Sequence, residues 1–221
     1  MESTVTLRRC FRSPIPPVFE AVRSLDEAVT AHIAGHTQRA AQLFASANNP
    51  EVRAWVDSLW GKSSPYVKVN RLPSAPITTK VQARMPTLEQ KRALHARDGF
   101  HCRFCGVPVI RPEVRKLAVL LYPSAVTWGK TNVSQHAGFQ ALWAQYDHVV
   151  PHSCGGTNEL ENLVVTCAGC NFGKMSYRLE ELALFDPRGF APVQSTWDGL
   201  ERFLACAPNN SFKPTPLRGA A

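Results

Sequence analysis

The sequence predicts an α+β fold held by a metal clasp, and three observations carry that expectation. Two Cys-x2-Cys pairs, Cys102/Cys105 and Cys167/Cys170, supply four thiolates, the ligand set of a closed tetrahedral Zn2+ site with a structural role. Two short β-type runs, YDHVV from Tyr146 and NLVV from Asn162, flank Gly155-Gly156, where the chain can reverse at φ values other residues resist. Ahead of the first knuckle, apolar residues recur at three- and four-residue steps, the period of amphipathic helices.

Taken in order, residues 1–16 carry Arg8, Arg9 and Arg12, with Pro14 and Pro16-Pro17 at their end, and read as a flexible or extended basic lead-in. Val18, Val22, Leu25, Val29 and Ile33, then Ala40, Leu43 and Phe44, mark helix, broken near Gly35 and ending at Asn48-Asn49-Pro50. Pro50 opens a second short helix with Val52, Trp55, Val56 and Leu59 on one face, so residues 1–61 form an N-terminal helical region. His32 and His36 lie four apart but lack a third ligand, and read as solvated or packing histidines. Residues 62–86 are a basic, proline-bearing linker, solvated or lying near phosphate: no acidic residue falls between Asp57 and Glu89, while Lys62, Lys68, Arg71, Lys80 and Arg84 do.

Residues 87–185 hold the clasp. Thr87 with Gln90 three later is a capping box for a helix to about Arg97, and Asp98-Gly99 turns the chain into the first knuckle. An insert at 107–145 separates that knuckle from the first strand; Pro112, Val114, Leu117, Ala118 and Leu121 predict a helix, and Trp128, Phe139 and Trp143 read as core. After the second knuckle, Asn171 to about Leu184 reads as helix with Leu179, Leu182 and Ala183 buried. Residues 186–221 are a C-terminal extension with a short helix around Thr196 to Ala205, and the last residues, about fifteen, are polar and proline-bearing and read as disordered.

With 221 residues and 44% hydrophobic side chains the chain can bury a core. Its 25 basic against 17 acidic residues, a formal charge of +8, suit a polyanionic partner. No run approaches eighteen apolar residues and the start MESTVTLRRCF lacks the apolar core of a secretory leader, so the expectation is a soluble cytoplasmic protein with no membrane partner. Cys10, Cys154 and Cys206 fall outside the clasp spacing and read as inert thiols, with a disulfide as the alternative.

Asp147-His148, Asn162, Asn171 and Lys174 are interleaved with the second knuckle. The order Asp-His, Gly-Gly, Asn-Leu, Cys-x2-Cys-Asn, Lys, from Asp147 to Lys174, resembles the HNH endonuclease family over roughly residues 90–185. The resemblance implies a ββα-metal finger, with Asp147 and Asn171 as ligands of a catalytic Mg2+ or Mn2+. His148 would be the general base and Asn162 the residue holding the loop that orients it, in an enzyme cutting DNA, double-stranded above all. Lys174, one turn after Asn171, is expected on a scissile or adjacent phosphate, and His152 is expected to touch phosphate or simply to be exposed. Two alternatives stay open: a zinc-stabilised nucleic-acid-binding module without catalysis, and an RNA-cleaving nuclease. One site per chain implies a nick per event unless the protein dimerises.

Overall fold

In the computed structural model, which describes residues 6–60, 63–72 and 85–208, the N-terminal periodicity becomes α1 (Pro16–Ile33), α2 (Thr37–Ser46) and α3 (Pro50–Asp57). Proline in the first turn of α1 and of α3 costs no helical hydrogen bond, because those amides have no intrahelical acceptor. Asn49 caps α3 by accepting from the Glu51 amide at 2.7 Å. α1 and α2 pack on each other, burying Val18, Leu25 and Val29 with Ala40 and Phe44. His32 is a packing residue: its Nδ1 lies 2.5 Å from the Tyr122 hydroxyl and its ring stands edge-on to Phe203.

The expected lead-in is docked, in its described part, rather than free. Arg8 donates its amide to the Ala183 carbonyl (3.0 Å) and accepts from the Phe185 amide (3.0 Å). Phe11 is buried, and Trp55 donates its indole N–H to the Ser13 carbonyl at 3.0 Å. One apolar residue, Phe11, anchors an otherwise basic and proline-bearing stretch.

α4 (Leu88–Asp98) starts at the capping box, with both reciprocal bonds formed, and stops at Gly99, whose φ is 68°. The insert supplies α5 (Pro112–Leu121) and α6 (Ala137–Ala141) and ties the N-terminal helices to the sheet. His136 shares a hydrogen bond with the Phe44 carbonyl (2.8 Å), and Asn48 accepts from the Ala137 amide (2.8 Å). At its other end the Ile110 amide donates to Leu142 (2.6 Å) and the Ala144 amide to Ile110 (2.9 Å). A bidentate pair of Arg111 with Glu201, both bonds 2.7 Å and both partners buried, anchors the C-terminal extension. There the expected helix is a 3-10 turn, Glu201–Cys206.

β1 (Ala144–His148) and β2 (Leu163–Cys167) form a two-stranded antiparallel sheet, with Ala144 opposite Cys167 and His148 opposite Leu163. α7 (Ala168–Lys174) follows β2 directly and packs against both strands. It is much shorter than the expected helix. The chain leaves it at Met175 (φ 51°), and Leu179 and Leu182 reach the core from a separate 3-10 turn, Glu180–Leu182. Three-residue spacing is shared by both kinds of helix, so the apolar pattern alone did not distinguish them. A single buried cluster runs from Leu25 and Phe44 through Trp55 to Phe139, Leu163 and Cys167.

Lys62, the linker residues 73–84 with Lys80 and Arg84, and the tail from 209 to 221 lie outside the described residues. Among the described residues, no helix is long and apolar enough to cross a membrane.

Candidate active site and metal clasp

The two knuckles meet at one end of the sheet. The four sulfurs of Cys102, Cys105, Cys167 and Cys170 lie within 4.8 Å of one another, with Cys105 and Cys167 3.7 Å apart. Four Zn–S bonds in a tetrahedron separate their sulfurs by about 3.8 Å, so the cluster fits a zinc clasp. Backbone bonds set both knuckles: the Gly106 amide donates to Cys102 and the Cys102 amide to Val107, each at 2.8 Å, while the Cys170 amide points at the Cys167 sulfur. Crowding pushes the Cys105 and Cys170 thiols well above the usual range, their hydrogen bonds with Cys102 being the largest cause. A dication among them inverts that balance.

Buried Asp98 joins the clasp to the sheet. It accepts from Arg97 at 2.7 and 2.8 Å, from Arg103 at 2.8 Å and from the Val165 amide at 3.0 Å, linking α4, the first knuckle and β2.

Asp147 and His148 end β1 at the edge of the sheet away from the clasp, and the chain then turns through residues 149–157. Asn162 staples this turn: its Oδ1 accepts from the Val150 amide (2.8 Å), and its Nδ2 donates to the Val150 (3.1 Å) and Thr157 (2.9 Å) carbonyls. Gly155 sits at φ 86°, and a Cβ on Gly156 would collide with the Val150 carbonyl oxygen. Both glycines are needed for the loop to close under His148.

His148 is held by a residue that spacing did not single out. Its Nε2 lies 2.7 Å from Asn158 Oδ1, and the Asn158 amide nitrogen donates to the Met85 carbonyl at 3.3 Å. That second bond turns the Asn158 oxygen to the imidazole, so Nε2 carries the proton and the basic lone pair is on Nδ1. A lone asparagine in a glycine-containing turn reads as turn chemistry, which is why nothing in the sequence marked it.

Asp147, His148 and Asn171 line one cleft of about 510 Å³, together with Gln145, His152 and Phe172. His152 stacks edge-on against His148, ring centres 6.0 Å apart. Asn171 donates through Nδ2 to Gln145 Oε1 at 3.4 Å, which turns its Oδ1 the other way. Asp147 is buried; its Oδ2 pairs with the Lys174 ammonium at 3.3 Å but receives no hydrogen bond among the described residues. Burial pushes its carboxyl up to about 6, outweighing the opposing pull of Lys174. A carboxylate and a neutral amide oxygen lining one cleft are hard donors, which fit Mg2+ or Mn2+.

Residues 140–176 match the model of the HNH endonuclease family. The HNH segment takes in β1, the stapled turn, β2 and α7 with the second knuckle; the first knuckle and α1–α5 lie outside it. Neither the curated proteins nor the solved structures yield a match to the chain. The HNH segment points to nuclease chemistry.

The structure brings Asp147, His148, His152 and Asn171 to one cleft, and places Asn162 behind it. Lys174 is the correction. It was expected on a phosphate, yet it is fully buried, donating to the His148 carbonyl at 2.7 Å and pairing with Asp147 at 3.3 Å. It lies one turn after Asn171 on α7, but where Asn171 lines the cleft, the Lys174 ammonium is directed into the protein, onto the end of β1.

Proposed function

We propose that the chain is a metal-dependent DNA endonuclease of the HNH type, its β1, β2 and α7 forming a ββα-metal finger locked by Zn2+ on the four cysteines. The observation that carries this reading is the convergence of Asp147, His148 and Asn171 on one cleft. Residues 87–185 are the catalytic unit in this reading, with the insert and N-terminal helices as its support.

Phosphodiester hydrolysis needs a proton removed from water on one side of phosphorus and negative charge stabilised on the leaving oxygen opposite. His148 takes the proton at Nδ1, since Asn158 holds the proton-bearing Nε2. Asp147 and Asn171 hold Mg2+ or Mn2+, which when bound supplies charge stabilisation to the leaving oxygen. Asn162 keeps the loop after His148 in one conformation, and His152 offers a phosphate contact from the same wall. Double-stranded DNA suits the +8 charge, which favours a polyanion without reading its sequence.

The test is incubation of zinc-loaded protein with supercoiled plasmid, single-stranded DNA and RNA, with and without Mg2+. Nicked circles formed only with Mg2+ are the expected result. Cleavage of RNA alone would make the chain an RNA nuclease; binding without any cleavage would make it a binding module.

A further inference from the structure

Lys174 stands among the largest fully buried side chains, in the company of Trp55, Phe44 and Phe139. Its ammonium lies 3.4 Å from Asp147 Oδ1 and 3.3 Å from Oδ2, astride the carboxylate, and donates to the His148 carbonyl at 2.7 Å. It ends α7 with its side chain fully buried, next to Gly173, where an added Cβ would crowd Phe11 and the Leu59 carbonyl. A cation is thus built against Asp147, the one carboxylate lining the cleft among the described residues. Asn171, the other donor, is neutral.

We propose that Lys174 is a charge gate: by neutralising Asp147 it keeps the free protein's hold on a divalent ion weak, so that the ion is held firmly only when a substrate phosphate adds its negative charge. This rests on the reading of Asp147 and Asn171 as the ion's ligands. Counting charges gives the reason. Asp147 and Lys174 together are neutral, so a dication in the cleft stands uncompensated, and in a partly dry site holding it there is costly. A phosphodiester supplies one of the two missing negative charges. Lys174 is therefore a positioning residue that makes ion binding depend on the presence of nucleic acid.

The experiment uses the zinc-loaded full chain carrying His148→Ala, which leaves DNA uncut, and counts unbound Mn2+ by electron paramagnetic resonance at mildly alkaline pH. The ions taken up by the DNA itself are measured with the Asp147→Ala protein. A short duplex is expected to tighten Mn2+ binding by roughly tenfold or more. Lys174→Met in the same background should tighten Mn2+ binding without DNA by a comparable factor and shrink the duplex effect; Lys174→Arg, which keeps the charge, should not. The inference is overturned if the duplex leaves Mn2+ affinity unchanged, or if folded, zinc-replete Lys174→Met binds Mn2+ no more tightly. Should Lys174→Met not fold, the duplex effect in the Lys174 protein decides alone. Mn2+ bound in the cleft and lost in Asp147→Ala, but indifferent to Lys174, sinks the gate and leaves the endonuclease reading standing. No Mn2+ lost on Asp147→Ala, with duplex or without, sinks that reading and the gate together.

Discussion

The clasp and the cleft are built at opposite ends of the same two strands and share one helix, yet their donors differ in every respect. At the clasp, four soft sulfurs crowd within 4.8 Å, enough to fill a tetrahedral shell from the protein alone. At the cleft, Asp147 and Asn171 offer two hard oxygens, and the one lining carboxylate among the described residues is already paired with a lysine. A closed shell leaves nothing for a substrate to bind, so such a site stores folding energy; an open shell leaves room for water and phosphate. α7 joins them, beginning at Cys167 and Cys170 and ending at Lys174 against Asp147 and His148. Rigidity made at one end is thereby delivered to the other.

The largest effect should come from breaking the closed end. Serine at Cys102 or Cys167 removes a ligand whose ion contributes on the order of 10 kcal/mol to folding in small zinc domains, comparable to the whole stability of a domain. Loss of zinc together with loss of the helical circular dichroism signal is expected. A Cys167→Ser protein that is fully folded with well under one zinc per chain would falsify the division of labour drawn above.

Next in size is the open end, where damage should leave the fold alone. Alanine at His148 should lower cleavage by a factor on the order of 10²–10⁴ through loss of the base, with zinc content, melting temperature and DNA binding close to wild type. Alanine at Asp147 or Asn171 should instead raise the Mg2+ concentration needed for half-maximal rate, or abolish cleavage. A Mg2+ titration of rate for the three variants separates these roles; wild-type cleavage by His148→Ala would rule out its part as base.

The same contrast explains how much could be read from the sequence. Cysteine spacing is covalently local, so the clasp was visible in Cys102/Cys105 and Cys167/Cys170 before any fold was known. The capping box at Thr87, the proline starts of α3 and α5, and the strand-glycine-strand pattern were legible for the same reason: each is a statement about neighbouring residues. What escaped is set by tertiary contacts. Asn158 reaches His148 only because the turn folds beneath it, and the inward aim of Lys174 depends on where α7 lands on β1. The docking of residues 6–15 depends on a groove that Trp55 and Ser58 build much later in the chain.

Acid offers an intermediate test that bypasses the clasp. His136 is buried among Phe44 and Phe139, and burial pushes its imidazole down to about 4 from the ordinary 6.5. The folded state then refuses a proton that the unfolded chain accepts below pH about 6.5, so stability is full above that value and is lost as pH falls to about 4, by on the order of 3 kcal/mol. Below about 4 this group adds no further loss. His136→Gln should be less stable at neutral pH but show a flatter decline of melting temperature between neutrality and pH about 4. Because thiolate protonation loosens the clasp equally in both proteins, the difference between their slopes isolates His136. Parallel slopes would remove it as a source of acid sensitivity.

The smallest expected effect is also the sharpest probe of the open end. Asn158 is neither a clasp cysteine nor one of the donor pair; its oxygen holds His148 Nε2 at 2.7 Å, and its backbone carbonyl accepts from Gln90 at 2.7 Å, coupling the imidazole to the start of α4. Losing one neutral hydrogen bond costs about 1 kcal/mol, so Asn158→Ala should lower the single-turnover rate by about tenfold or less while leaving the Mg2+ requirement unmoved. Rate alone would not distinguish positioning from a loosened loop. Asn158→Asp does: a carboxylate facing Nε2 stabilises imidazolium, so the base is protonated over a wider range and the acid limb of the pH–rate profile moves to higher pH. A loop held only by Asn162 would give no such displacement. If Asn158→Asp and wild type share one pH profile, the imidazole is set by something other than Asn158, and the assignment of Nδ1 as the proton-accepting atom loses its support.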